Sequence, residues 1–269
     1  MCLLAFAAFT HPTYRLVLAG NRDEFHHRPT ARAAWWTDAP HVLGGRDLTA
    51  GGGWLAVARD GRWAAVTNVR EPALPARPDA PSRGALVADF MRGGEDAASY
   101  VSRVAERAND WSGFNLLCGD DHEVWWVSNR GPGAIRVSPG VHAVSNALLD
   151  TPWPKVESIR RDLEDALAGD EASLEERLFS ALDRRDPAAE ALLPRTGVEP
   201  EMVRALAAAV IDLPGYGTRA STVLRIAADG EVHLTERSWR PGEILPAEVR
   251  YQFRRDGLAH PASPGIPAP

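Results

Sequence analysis

Apolar residues run almost unbroken through 3–9 and again through 15–20, and the Thr10-His11-Pro12-Thr13 break between them predicts a β-hairpin with a loop of four to five residues. Further strands are expected at 54–58 and 62–69 around Arg59-Asp60-Gly61, at 113–118 and 123–128 around Asp120-Asp121, and at 134–138 and 141–145 around Pro139-Gly140. Late in the chain, 219–227 and 231–239 flank Asp229-Gly230, and 247–254 follows. Helices are expected at 83–92, 95–108, 153–168, 171–184 and 199–210; Tyr100, Val101 and Val104, and then Val156, Ile159, Leu163 and Leu167, have the three-to-four spacing of an amphipathic face. Trp35-Trp36 and Trp125-Trp126 alternate across a strand, so one ring of each pair is expected in the core. Hairpins, then a helical block, then more strands form an α+β pattern of antiparallel sheets covered by helices. No internal repeat appears, so residues 1–256 read as one domain and the Pro- and Ala-rich 257–269 as a disordered tail. Gly44-Gly45 and Gly51-Gly52-Gly53 lack the Gly-Lys-Ser/Thr ending of a phosphate cradle and read as a mobile loop beside a site.

Composition narrows the function classes. The chain has 269 residues, 45% hydrophobic and 25% charged, as soluble globular proteins do. A formal charge of −6 without a basic block gives no footprint for nucleic acid, and no apolar stretch is long enough to span a bilayer. Two cysteines in a chain this long suggest no disulfide framework and fit a reducing cytoplasm. His26-His27 lack a third ligand at metal spacing, and neither a metal nor a cofactor is expected.

One of the two cysteines, Cys2, directly follows the initiator methionine. Removal of Met1 would place a thiol and a free α-amine on the same residue, a nucleophile with its own base. The alternatives are a signal-peptide core, a palmitoylation site or an ordinary buried cysteine; the first lacks a basic flank and cleavage site, the second a partner lipid signal. If Phe9 pairs near Arg15, the antiparallel register keeps paired positions summing to about 24 and sets Cys2 opposite residues 20–23. Those are Gly20-Asn21-Arg22-Asp23. A neighbouring Arg22 is expected to lower the thiol pKa and Asp23 to orient either Arg22 or the α-ammonium; an adjacent surface ion pair is the plainer alternative. Cys118, within Phe114-Asn115-Leu116-Leu117, reads as a core residue.

Met1-Cys2 together with Asn21-Arg22-Asp23-Glu24, Thr67-Asn68-Val69-Arg70, Ser145-Asn146 and the block from Tyr216 to Val223 resembles the NRDE family, also called the transport and Golgi organisation protein 2 family. That family in turn resembles N-terminal nucleophile (Ntn) hydrolases of the penicillin V acylase and bile-salt hydrolase type. The resemblance implies a four-layer αββα sandwich and cleavage of linear amides, with Cys2 as nucleophile. It further implies Arg22 and Asp23 beside it, Asn68 and Asn146 as oxyanion- and amine-binding residues, and Arg219 as a second arginine; Asn21 and Trp54 are expected to touch substrate. Two residues separate the Arg and Asp in the acylase pattern and none does here, so which of the two meets the thiol stays open.

Two functions follow. The first is a cysteine amidohydrolase acting on a small acyl-amide; the second is a carrier of haem or an acyl-lipid that keeps the same scaffold, with a role in membrane traffic as a weaker third. A complete set of Cys2, Arg22, Asp23, Asn68, Asn146 and Arg219 favours the enzyme, since a carrier needs no nucleophile.

Overall fold

The computed structural model describes residues 2–71, 74, 77–186, 188–194, 197, 199–239 and 246–256; the tail at 257–269 lies outside them. The first hairpin pairs β1 (Cys2–Ala8) with β2 (Tyr14–Phe25), and Phe9 donates its N–H to the Arg15 carbonyl at 3.0 Å. Cys2 falls opposite Arg22, the expected register. A meander follows: β3 (Thr30–Trp36), β4 (Ala39–Asp47), β5 (Gly53–Ala58) and β6 (Trp63–Asn68), then α1 (Gly84–Arg92) and α2 (Ala97–Glu106), then β7 (Phe114–Gly119), β8 (Val124–Ser128) and β9 (Gly133–Val137). The rest comprises β10 (Gly140–Val144), α3 (Pro154–Leu167), α4 (Leu174–Leu182), α5 (Pro200–Ala205), β11 (Asp212–Leu213), β12 (Tyr216–Ala227), β13 (Glu231–Ser238) and β14 (Ala247–Arg254).

Among the described residues these strands form two antiparallel seven-stranded sheets. One runs β10-β1-β2-β12-β13-β14, with β11 on β12; the other is the meander β3 to β9 in chain order. Leu4, Phe6 and Ala8 of β1 meet Leu55, Trp63 and Leu117 of the second sheet, whereas Leu3, Ala5 and Ala7 meet Ile159, Leu163 and Leu178 of α3 and α4. On the far side Val66, Leu116 and Val127 pack against Leu86, Tyr100 and Val101 of α1 and α2. Three apolar seams therefore make four layers, helices, sheet, sheet and helices. β1 is apolar without alternation because it is covered on both faces. β14, at the sheet edge, alternates instead, with Val249, Tyr251 and Phe253 turned to the core. Each large apolar side chain buried in these seams contributes roughly 1.5–3 kcal/mol.

Several boundaries depart from expectation. The mobile glycine loop is not found: Gly44 and Gly45 lie in β4, Gly53 opens β5, and only the turn between them is loop. Glycine is required there by close approach, since a Cβ on Gly52 would sit 2.4 Å from the Gly84 carbonyl carbon at the start of α1. The helix expected at 171–184 begins as a 3₁₀ turn before α4, and that at 199–210 is the shorter α5. Trp36 and Trp126 are buried, one ring from each pair, as expected. No helix of the described residues is long and apolar enough to cross a membrane.

Candidate active site

Cys2 heads a central strand, and its side chain points, like those of Leu4 and Phe6, to the space between the sheets. There it lines a cleft of about 1000 Å³ with Arg22, Glu24, Trp54, Thr67 and Asn68. The alternation of β2 sorts the Asn21-Arg22-Asp23-Glu24 stretch by face. Arg22 and Glu24 share the cleft side with Cys2. Asn21 extends from the other side, toward the helices, while Asp23, between Arg22 and Glu24, also lines the cleft. Arg22, 5% exposed, donates to Thr30 Oγ1 at 3.0 Å and lies 3.5 Å from Glu24. Glu24 also faces Arg28 at 3.8 Å, and Arg28 pairs with Asp47 at 2.6 Å, so the charges beside Cys2 are tied into one network.

Arg22 shares the thiol's face of the hairpin, directly across from Cys2. The carboxylate of Asp23 accepts from Thr218 Oγ1 at 2.7 Å. Burial pushes the Cys2 thiol above its ordinary pKa and outweighs the pull of Arg22, which reverses the expected direction. Burial likewise raises the Asp23 carboxyl, against the opposing pull of Lys155 and Arg22.

Asn68 and Asn146 come together from different sheets. The Asn146 amide donates to Asn68 Oδ1 and to the Asn68 carbonyl, both at 3.1 Å. With its oxygen so engaged, Asn68 is oriented with Nδ2 as the donor on the cleft wall; among the described residues its hydrogen bond to the Val69 carbonyl is long at 3.4 Å. Asn146 is 1% exposed and lies behind Asn68. Ser145 Oγ donates to the Cys2 carbonyl at 2.9 Å, and Thr67 Oγ1 donates to the Ser145 carbonyl at 2.7 Å. Asn115 donates to Thr67 Oγ1 at 3.1 Å and to the Ala147 carbonyl at 2.7 Å. This buried polar ladder joins the two sheets behind Cys2.

Two expected site residues lie elsewhere. Asn21 is fully buried away from the cleft; its amide donates to the carbonyls of Leu182 and Ala209 at 2.8 and 2.9 Å and its oxygen accepts from Ser221. It fastens β2 to the helical layer and cannot touch a substrate in the cleft. Arg219 is the extra residue of a β-bulge in β12, between Thr218 and Ala220, and its guanidinium donates to the carbonyls of Phe25, His26 and Arg28. It does not line the Cys2 cleft but holds the turn that carries Arg28. Trp54 does line the cleft.

Sequence reading passed over Glu24, Asn115 and Lys155. Glu24 was legible, two residues from Arg22 on one strand. Lys155, at the start of α3, is 6% exposed and donates to the Leu206 carbonyl at 3.0 Å. Burial pulls its pKa down to about 8, with Asp23 acting the other way. Its signal was a lysine four residues before Ile159, on the apolar stripe of that helix.

Residues 1–241 match the family model described as Transport and Golgi organisation 2. The Transport and Golgi organization protein 2 homolog of Homo sapiens is 34% identical over 94% of this chain and 99% of its own, and that of Bos taurus 37% identical over 88% and 93%. The Drosophila melanogaster protein is 29% identical over 88% and 92%. Among solved structures, a Caenorhabditis elegans N-acylethanolamine-hydrolyzing acid amidase ortholog aligns over 83% of this chain and 92% of its own, with TM-score 0.48 and 11% identity. The C2A mutant of the conjugated bile acid hydrolase from Clostridium perfringens aligns over 97% and 99%, with TM-score 0.47 and 8% identity.

Proposed function

The chain belongs to the Transport and Golgi organisation 2 family, and from that premise we propose that it is a cysteine amidohydrolase that cleaves a linear amide of a small acylated substrate once Met1 has been removed. The observation that carries this reading is the pairing of Cys2 with Arg22 at the head of a cleft whose wall presents the Asn68 amide. The Cys2 thiol, raised by burial, rests protonated and needs a base at the moment of attack. Its own α-amine, with a reference pKa of about 7.7–8.0, is suited to that part.

In this mechanism Cys2 Sγ bonds to the amide carbonyl carbon as its proton passes to the α-amine. The oxyanion that forms accepts from Asn68 Nδ2, which Asn146 holds in place. The α-ammonium then protonates the leaving nitrogen, the C–N bond breaks and the amine departs. Water, deprotonated by the same α-amine, attacks the thioester; the carboxylic acid leaves and the thiol is restored. One water is consumed for each amide cleaved. Arg22 stabilises negative charge on the sulfur, and Asp23, beside the strand end, orients the α-ammonium.

The second reading, a carrier of haem or an acyl-lipid, draws on the size of the cleft and on Phe25 and Met202, which are 52% and 43% exposed on its wall. Turnover of a panel of N-acyl amides, beside binding of haem and acyl-CoA, separates the two. The enzyme reading expects the wild type to release acid and amine in equal amounts from at least one amide, and Cys2→Ala none. If no amide turns over while haem or acyl-CoA binds wild type and Cys2→Ala equally, the carrier reading replaces it.

A further inference from the structure

Arg22, Arg28, Arg77 and Arg83 line the cleft, and their surroundings differ. Arg22 and Arg28 are matched by Glu24 and Asp47. Arg77 donates to the carbonyls of Asn109 and Trp111 at 2.8 and 3.1 Å, and Arg83 to that of Gly113 at 3.1 Å. Among the described residues neither has a carboxylate partner. A carbonyl fixes the direction of a guanidinium without cancelling its charge, so both forks are held in place and remain cationic. This occurs on a chain of net charge −6, where a carboxylate partner is not scarce. Arg83 is half-buried, and burial lowers its pKa against the opposing pull of Cys2 and of the more distant Glu24 and Glu71, none of which is ion-paired with it. Met202, Leu206 and Leu213 supply an apolar stretch of the same cleft.

We propose that Arg77 and Arg83 form an anion subsite, so that the ligand of this cleft is an amphiphile carrying a carboxylate or phosphate at the end away from its apolar group. As a statement about substrate class this rests on the hydrolase reading; as a statement about binding it does not. Planar forks suit the paired oxygens of either anion.

The test measures binding of N-octanoylglycine, octyl phosphate and the neutral N-octanoylethanolamine to the full chain carrying Cys2→Ala, alone and with Arg83→Gln, Arg77→Gln or both. The expected result is that at least one anionic probe binds about tenfold or more tightly than the neutral one, an advantage that shrinks with added salt. The double substitution should erase most of that advantage and leave the neutral probe within about twofold. Gln retains a donor for the main-chain carbonyl, and Arg77→Gln alone, in a loop, keeps the comparison valid if Arg83→Gln folds poorly. Tighter binding of octyl phosphate assigns a phosphate-bearing ligand, and of N-octanoylglycine a carboxylate. Equal affinity for all three probes, no binding of either anion, or an anion preference that survives both substitutions overturns the subsite. Hydrolysis of neutral amides without any anion preference overturns the subsite alone. Anion preference without hydrolysis of any amide supports the subsite and overturns the hydrolase reading.

Discussion

Asn68 and Asn146 play complementary parts. Asn68 presents its amide to the cleft, and Asn146, buried behind it, fixes which end of that amide faces outward. Asn68→Ala is therefore predicted to lower kcat on the order of a hundred- to thousandfold, the usual loss for one oxyanion donor, with little change in unfolding stability. Asn146→Ala should lower kcat too but also cost about 1–3 kcal/mol of stability, because buried partners lose their hydrogen bonds. Paired measurements of kcat and denaturant midpoint distinguish the two patterns, and equal stability losses would contradict the division. The cysteines separate in the same way. Cys2 lines the cleft, whereas Cys118 is fully buried with its thiol pKa pushed well up by burial. Iodoacetamide near neutral pH should label Cys2 in the folded protein and Cys118 only on unfolding; matching rates in the folded state would refute this. At this scale the pairing of Cys2 with Arg22 was legible from register arithmetic. Asn115 was not, because a buried polar residue in an apolar strand has no local signature until its partner from a distant segment is known; Lys155 stood out on the apolar stripe of α3, but its partner Leu206 lies in a distant segment.

The β2 strand shows why a short motif was half legible. Its two-residue period turns Arg22 and Glu24 to the face of Cys2 and Asn21 to the helices, so adjacent letters of one motif act on different layers. The places of α2 and α3 followed from apolar spacing, and the first hairpin register from the break between two apolar runs. β3 and β4 were obscured by charged and glycine positions, and the β12 bulge that re-aims Arg219 depends on pairing with β2, which no local pattern records. The glycines themselves give a prediction. Gly52→Ala forces a Cβ against the Gly84 backbone and should destabilise by about 1–3 kcal/mol, whereas Gly94→Ala, whose Cβ meets nothing within 4 Å, should stay within about 0.5 kcal/mol. Denaturant unfolding of both variants checks this. The segment bearing Ser145 and Asn146 is fastened by His142, whose Nδ1 lies 2.7 Å from Asp150 Oδ2. The hydrogen bond to Asp150 raises the His142 pKa above 6.5. A raised folded pKa means this contribution is complete below about pH 6.5 and is lost as pH rises through the folded value. Between pH 5.5 and 8.5 the wild type should thus lose more stability than His142→Gln; identical slopes would remove His142 from the account.

At the scale of the molecule, two central strands drawn from the start of the chain carry Cys2 and Arg22 to one end of the intersheet seam, and the meander sheet brings Asn68 to meet them. The α+β class and its two covered sheets were legible because antiparallel hairpins dominate the chain, while the cleft was not, since its walls come from segments as distant as Phe25, Arg83 and Met202. The architecture suits a reactive residue at position 2: the strand that carries Cys2 is buried on both faces, and only its head opens on the cleft. The central claim is that Cys2 attacks with its own freed amine as base. The most direct measurement is the mass of the N-terminal peptide from protein quenched in acid during turnover of an N-acyl amide. The account predicts a peptide that begins at Cys2 and, in part, carries the acyl group on it. A peptide that retains Met1 throughout, with no acyl group at Cys2 while amine is being released, would contradict it.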